Sequence, residues 1–141
     1  MASWAEFEER APEPAAAARK RLDAHKHKTI ATLRRDGSPR ISGIECEIED
    51  GELRFGSMLN AVKALDLLRD PRFALHSGSD DPPGWAGDAK IAGRAVEVPG
   101  EGMHLFRCDI REVVLVGLNE ARDKMVIESW HEGRGVSRME R

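Results

Sequence analysis

The alternation in Ile41–Glu49, followed at once by Asp50-Gly51, constrains this chain more than any other feature. Ile44, Cys46 and Ile48 fall on one face, while Glu45, Glu47 and Glu49 fall on the other. That is the period of a strand with one dry side. Asp-Gly tolerates positive φ at both central positions of a two-residue hairpin turn. Folding back there sets Ile48 opposite Leu53, Glu47 opposite Arg54 and Cys46 opposite Phe55. Apolar pairs then lie inside and opposite charges outside. The middle of the chain is thereby committed to antiparallel sheet.

The next stretch, GELRFGSMLNAVKALDLLRDPR (Gly51–Arg72), reads as a strand running into a short helix. Asn60 is a candidate N-cap, because its side-chain oxygen can accept from first-turn amides. Asp70-Pro71 ends the helix, since a residue before proline is driven out of the α region. Ala61, Leu65 and Leu68 share a face at helical spacing, so that face is predicted to be buried. Lys63 is out of place. A cation in the first turn opposes the helix macrodipole by about 0.3–1 kcal/mol unless an anion sits there. Two readings stand on this stretch alone. Lys63 is an exposed lysine paired with Asp66, or it joins the free amides in holding a phosphate or carboxylate.

Elsewhere the local signals are those of short strands with helices at the front. Ser3 and Glu6 form a capping box for a helix over Trp4–Arg10. Pro12 and Pro14 stop it, and Pro14 suits the first position of a second helix reaching about Ala24. Ala15, Ala18 and Leu22 give that helix an inner face, and Arg19, Lys20 and Arg21 are expected in solvent. The run His25-Lys26-His27-Lys28 offers two histidines to a metal, although such a run is more often a solvated helix end. Thr29–Arg34 is a strand before the turn Asp36-Gly37, and Arg72–Ser77 alternates with Phe73 and Leu75 inward. Ser77–Gly87 is a loop, in which Trp85 is a plug on a barrel edge or a lid. Asp88–Val98 is a long strand with a bulge or bend expected at Gly93. Phe106–Leu118 is apolar on both faces at Val113–Val116, as a central strand is. Met125–Trp130 is the last strand, and residues 133–141 read as a mobile basic tail. About seven strands without a β-α-β period predict an antiparallel barrel with helices packed outside. The 141 residues are one domain's worth, with residues 1–28 as its N-terminal helical segment.

Composition excludes several function classes. A net charge of -3 gives no general attraction to nucleic acid or anionic membrane. No apolar run approaches the roughly 20 residues of a membrane span, and no signal peptide opens the chain. Cys46 and Cys108 lack metal or CxxC spacing and read as reduced core residues of a cytoplasmic protein. No GxSxG, GxxxxGK[ST], HExxH or GxGxxG occurs. Asp80-Asp81 are adjacent carboxylates in a loop, and His76 and His104 stand singly. Nothing announces a nucleophile or metal, so any reactive centre is expected to belong to a cofactor.

The series TIATLRRDGSPRISGIE (Thr29–Glu45), GELRFGSM (Gly51–Met58), KALDLLRDPRFALHSG (Lys63–Gly78), GDAKIAGRA (Gly87–Ala95) and FRCDIREVVLV (Phe106–Val116) resembles the pyridoxamine 5'-phosphate oxidase-like family. These are split-barrel proteins that bind flavin or deazaflavin. The likeness runs from about Ala15 to the closing SWHEGRG. It implies a six- to seven-stranded antiparallel split barrel working as a homodimer, with two cofactor clefts between subunits. In the family, the phosphate of FMN or of the deazaflavin coenzyme is held by a lysine at the start of the helix after the third strand. Lys63 matches that lysine, which favours the phosphate reading. Ser57 and Met58 match the strand end along the phosphate and ribityl chain, and Ile44 the strand beneath the ring system. Asp88 falls where a polar side chain often meets the ring edge, and Trp130 is placed to cover the cleft from the partner subunit.

One departure bears on affinity. The family usually carries Ser/Thr-Arg immediately before this lysine, where this chain has Ala61 and Val62. A charge-assisted contact contributes about 1.5–3 kcal/mol, so the loss weakens FMN by roughly tenfold to a hundredfold unless Arg40 or Arg34 substitutes. The implied function is FMN- or deazaflavin-dependent hydride transfer to or from a small-molecule substrate in the dimer cleft. The alternative is a non-catalytic dimeric binding protein whose cleft holds another anion or nothing. A nucleic-acid-binding barrel is discouraged by the acidic balance and by the absence of tyrosine.

Overall fold

In the computed structural model, which describes residues 2–141, three helices accompany nine strands. The helices are α1 (Trp4–Arg10), α2 (Pro12–Asp23) and α3 (Val62–Arg69). The strands are β1 (Lys28–Leu33), β2 (Pro39–Ile44), β3 (Cys46–Glu49), β4 (Glu52–Met58), β5 (Arg72–His76), β6 (Asp88–Val98), β7 (Met103–Leu118), β8 (Met125–His131) and β9 (Gly135–Glu140).

The central hairpin has the predicted register, with Cys46, Glu47 and Ile48 facing Phe55, Arg54 and Leu53. Asp50 and Gly51 take the positive φ values of 52° and 74° that such a turn demands. The strand upstream is not continuous. It breaks at Glu45 into β2 and β3, which pair with β1 and β4 respectively. All pairings are antiparallel and follow the order β2-β1-β5-β6-β7-β4-β3, with β8 and β9 added beside β7. The two ends of that path, β2 and β3, are neighbours in the chain. The sheet therefore curls round on itself into a split barrel.

The count of nine strands exceeds the expected six or seven for two reasons: the break at Glu45, and the tail. The expected tail, residues 133–141, contains a strand. Gly135–Glu140 forms β9 against β8, although every residue of it is exposed. No hydrophobic period marks such a strand, so only its backbone pairing defines it.

The interior is built as the alternation requires. Leu53, Phe55, Phe73, Leu75, Ile91, Phe106, Ile110 and Val113 are buried, and Phe55 lies 5.8 Å from Phe73 and 5.5 Å from Phe106 between ring centres. Outside the sheet, the capping box of Ser3 and Glu6 starts α1. Trp4 and Phe7 then pack inward, with Phe7 4.9 Å from Trp130. α2 begins at Pro12 rather than Pro14 and buries Ala15, Ala18 and Leu22. Arg21, expected in solvent, is half-buried and donates to the Asp88 carbonyl at 2.9 Å. Its burial lowers the guanidinium pKa. At the start of β1, Lys28 is buried; its ammonium holds the carbonyls of His25 and Lys26, the latter at 3.1 Å.

The bulge predicted at Gly93 is present: Ala92 pairs with Glu112, yet Gly93 pairs with Ile110, so Arg111 has no counterpart. A Cβ at Gly93 would lie 1.9 Å from the Asp109 carbonyl oxygen. Only glycine permits this approach.

Candidate functional site

The start of α3 departs from its expected form in a way that bears on function. Asn60 is not the N-cap. It takes φ 63°, a left-handed conformation that asparagine tolerates, and Ala61 becomes the cap with no side-chain hydrogen bond. The first turn contains no acidic residue. The amides of Val62 and Lys63 therefore face outward without a side-chain cap, the pattern that attracts an anion.

Lys63 is half-buried, and its ammonium donates to the Gly43 carbonyl on β2 at 2.7 Å. It is not paired with Asp66, as the simpler reading expected. Nor does it point freely into solvent. A carbonyl is a neutral partner, and among the described residues no carboxylate pairs with this ammonium. Lys63, Gly43 and the amides at 62 and 63 thus meet where α3 begins against β2. Ala61 and Val62 stand at the same place and contribute backbone only.

Asp66 fastens this helix to the sheet. Its carboxylate is buried and accepts from Thr32 Oγ1 at 2.8 Å, Arg40 Nε at 2.8 Å and Arg69 Nη2 at 3.1 Å. Burial by itself raises the Asp66 pKa, yet the hydrogen bonds from Arg40, Thr32 and Arg69 outweigh it and hold the carboxyl below the usual range. Arg40 is thereby committed to Asp66, and Arg34 reaches Ser38; neither is seen beside Lys63.

The predicted burial holds in part for Ala61, which packs against the core, and is overturned for Leu65 and Leu68 by the same anchor. α3 turns Ala64, Asp66 and Leu67 inward, because a carboxylate with three donors can be buried and an apolar count takes it for a surface residue. Leu65 and Leu68 are left 44% and 49% exposed, beside Val62 at 52%, Leu59 at 57%, Met58 at 81% and Ile41 at 75%. Exposed apolar side chains thus run from the end of β4 along α3, with Ile41 on β2.

The remaining predicted residues divide. Ser57, the last residue but one of β4, is next to this site but buried, its hydroxyl 3.5 Å from the Met58 carbonyl. Met58, beyond it, is open to solvent. Ile44 is buried one residue after Gly43. Asp88 lies on β6, separated from β2 by β1 and β5 in the sheet, and accepts from the Trp85 indole at 3.0 Å. Trp85 is thus a half-buried closure of its own loop. Trp130 is buried beneath α1 against Phe7. Within one chain, then, Lys63, Ala61, Val62, Met58, Ser57 and Ile44 come together, and Asp88 and Trp130 do not join them.

His104, set aside in the sequence as a single histidine, lies beside the site, which no sequence signal indicated. Its Nε2 accepts the Asn60 amide at 3.4 Å while Nδ1 faces Glu97 at 2.7 Å, so the ring braces the turn that leads into α3. Cys46 and Cys108 are free thiols whose pKa values burial pushes up, which makes them poor nucleophiles. Among the described residues no group of His, Cys, Asp and Glu is arranged to hold a metal ion, and no helix is long and apolar enough to cross a membrane.

No family model matches the chain, and no curated protein matches it. Solved structures do. A pyridoxamine 5'-phosphate oxidase-related, FMN-binding protein from Nostoc punctiforme matches at TM-score 0.67 and 12% identity, over 92% of this chain and 95% of that one. PhzG from Burkholderia lata, solved with tetrahydrophenazine-1-carboxylic acid, matches at TM-score 0.67 and 12% identity, over 92% and 88%. A heme binding protein from Mycobacterium smegmatis matches at 0.63 and 14%, over 90% and 87%. At these identities the likeness establishes the fold: the chain is a split barrel of the pyridoxamine 5'-phosphate oxidase-like kind.

Proposed function

We propose that the chain binds FMN or the related deazaflavin coenzyme as a homodimer and serves as an oxidoreductase on a small molecule. The observation that carries this reading is the ammonium of Lys63, paired with no carboxylate among the described residues, beside two uncapped amides. A phosphate at that point receives a charge and two aligned N–H donors. The residues present fit one phosphate, though without the hydroxyl and guanidinium that the resemblance associates with it.

When bound, the coenzyme supplies hydride transfer through its own ring. The chain's part is to hold and to enclose. Lys63 and the amides of Val62 and Lys63 bind the phosphate, and Asp66 keeps α3 fixed on the sheet. Ile41, Met58, Leu59, Val62, Leu65 and Leu68 offer the apolar surface that a second copy covers. A ring-edge role for Asp88 would come from the partner copy, because one chain does not bring it to Lys63; Trp130, buried against Phe7, is assigned no covering role. No side chain is assigned as acid or base. The fold's other occupants, such as the heme of the Mycobacterium smegmatis neighbour, belong to those proteins.

A second reading, a binding protein without turnover, is favoured by Ala61-Val62 in place of a hydroxyl and a guanidinium. Titration of the purified chain with FMN and with the deazaflavin coenzyme, followed by fluorescence, tests both. Micromolar binding that falls at least tenfold in Lys63→Gln supports the site. Equal binding in the variant, or none at millimolar coenzyme, refutes it. Binding without oxidation or reduction of any tested substrate supports the second reading.

A further inference from the structure

At the opposite end of α3 from Lys63 lies an open groove of about 620 Å³ between the start of β5, the middles of β6 and β7 and the end of β8. Arg72, Arg94, Arg111 and Arg134 all line it. Three features of the sheet put them there.

The first is a like-charge pair. Arg72 and Arg94 are directly opposite in the β5–β6 register, an arrangement that is unfavourable unless an anion relieves it. Asp70 relieves it only in part, since both its oxygens are taken by Arg72, at 3.0 and 2.7 Å. The second is the bulge. Arg111 is the residue without a counterpart across from Ala92 and Gly93, and its carbonyl is satisfied by the Glu132 amide at 3.0 Å. A bulge re-aims the extra side chain, here toward the groove. Gly93 at the same point keeps the floor free of a side chain. The third is charge balance. The groove's lining carries two carboxylates, Glu132 and Glu112, the latter facing His131 Nε2 at 2.8 Å; at its margin Asp70 is taken by Arg72, and Asp109, opposite Arg94 on β7, is taken by Arg107 at 2.6 Å. Four lining guanidiniums against two lining carboxylates leave the groove positive on a chain whose net charge is -3. Among the described residues, neither Arg111 nor Arg134 has an ion pair.

We propose that this groove binds a small ligand carrying two adjacent anionic groups, a diphosphate or a short polycarboxylate. Guanidiniums offer the paired donors that such groups accept. Four guanidiniums around one groove offer more paired donors than a single anionic group can accept. The inference is independent of the coenzyme reading, because the groove shares no residue with the start of α3.

The test is calorimetric titration of the full chain at low ionic strength with inorganic pyrophosphate and with citrate. It is made in a Lys63→Gln background so that the other anion site does not contribute. Binding of at least one probe is expected, weakened at least tenfold by Arg111→Gln and by Arg94→Gln. Arg138→Gln, on exposed β9 and outside the groove, is expected to leave it unchanged. The tighter probe assigns the class, phosphate or carboxylate. Arg111 is exposed, so its replacement leaves the fold intact, as circular dichroism will verify. Absence of binding by either probe at millimolar concentration overturns the proposal. So does an Arg138→Gln loss as large as that of Arg111→Gln, which would mean general charge attraction.

Discussion

Replacing Asp66 by alanine is expected to loosen α3 more than any surface change on that helix. The carboxylate accepts two charge-assisted bonds, from Arg40 and Arg69, and one from Thr32. Each charge-assisted bond contributes about 1.5–3 kcal/mol, and the Thr32 hydroxyl, 1% exposed, would be left unpaired. Against this, the Arg40 and Arg69 side chains are 27% and 31% exposed, so both guanidiniums recover part of their hydration. The loss then falls near the low end for a broken buried pair, about 3 kcal/mol. With an unfolding entropy of about 0.3 kcal/mol per kelvin for a chain of this length, Tm drops by about 10 °C. Acid should erase the difference. The Asp66 pKa in the folded chain is below its unfolded value near 3.9. Its stabilisation is therefore complete above about pH 5 and is lost as pH falls through the folded pKa. Thermal unfolding followed by circular dichroism from neutral to acid pH reads both effects. A Tm within about 2 °C of the wild type at neutral pH, or a gap that persists unchanged at about pH 2, would refute this account of how α3 is held.

Gly93→Ala is expected to cost several kcal/mol or to prevent folding, because its Cβ would meet the Asp109 carbonyl oxygen at 1.9 Å; urea unfolding measures it, and a midpoint equal to wild type contradicts the bulge geometry. If the chain forms the proposed dimer through this face, Val62→Asp with Leu65→Asp is expected to give a folded monomer in sedimentation, since both side chains are exposed on one chain; a wild type that sediments as a monomer, or a variant that sediments as the wild-type dimer does, refutes that interface.

How far the fold could be read in advance depended on whether the deciding interaction was local. The β3–β4 hairpin was legible to the residue pair because turn chemistry and alternation act within a dozen residues. The bulge at Gly93 was legible as a position, whereas the residue it displaces, Arg111, depends on the β7 register and was not. α3 was placed correctly but rotated wrongly. Its inward face is set by Asp66 reaching Thr32 and Arg40 from other strands, which no periodicity of apolar residues contains. Lys63 was recognisable by its conflict with the helix dipole; its partner, the Gly43 carbonyl, was not, because a backbone atom leaves no mark in sequence. Trp130 was expected at a cleft and is instead part of the aromatic packing under α1. Its size and isolation in the sequence are compatible with either place.

The single residue Glu45 joins the two extremes of the sheet path. Once the intervening strands have paired, bringing those extremes together costs almost no additional chain entropy, because the tether between them is one residue long. Glu45 thus acts as a clasp on a closed belt. A few residues spliced in there would lengthen the tether without touching any ladder, letting the two margins drift apart and taking with them the register between Gly43 and the ammonium of Lys63.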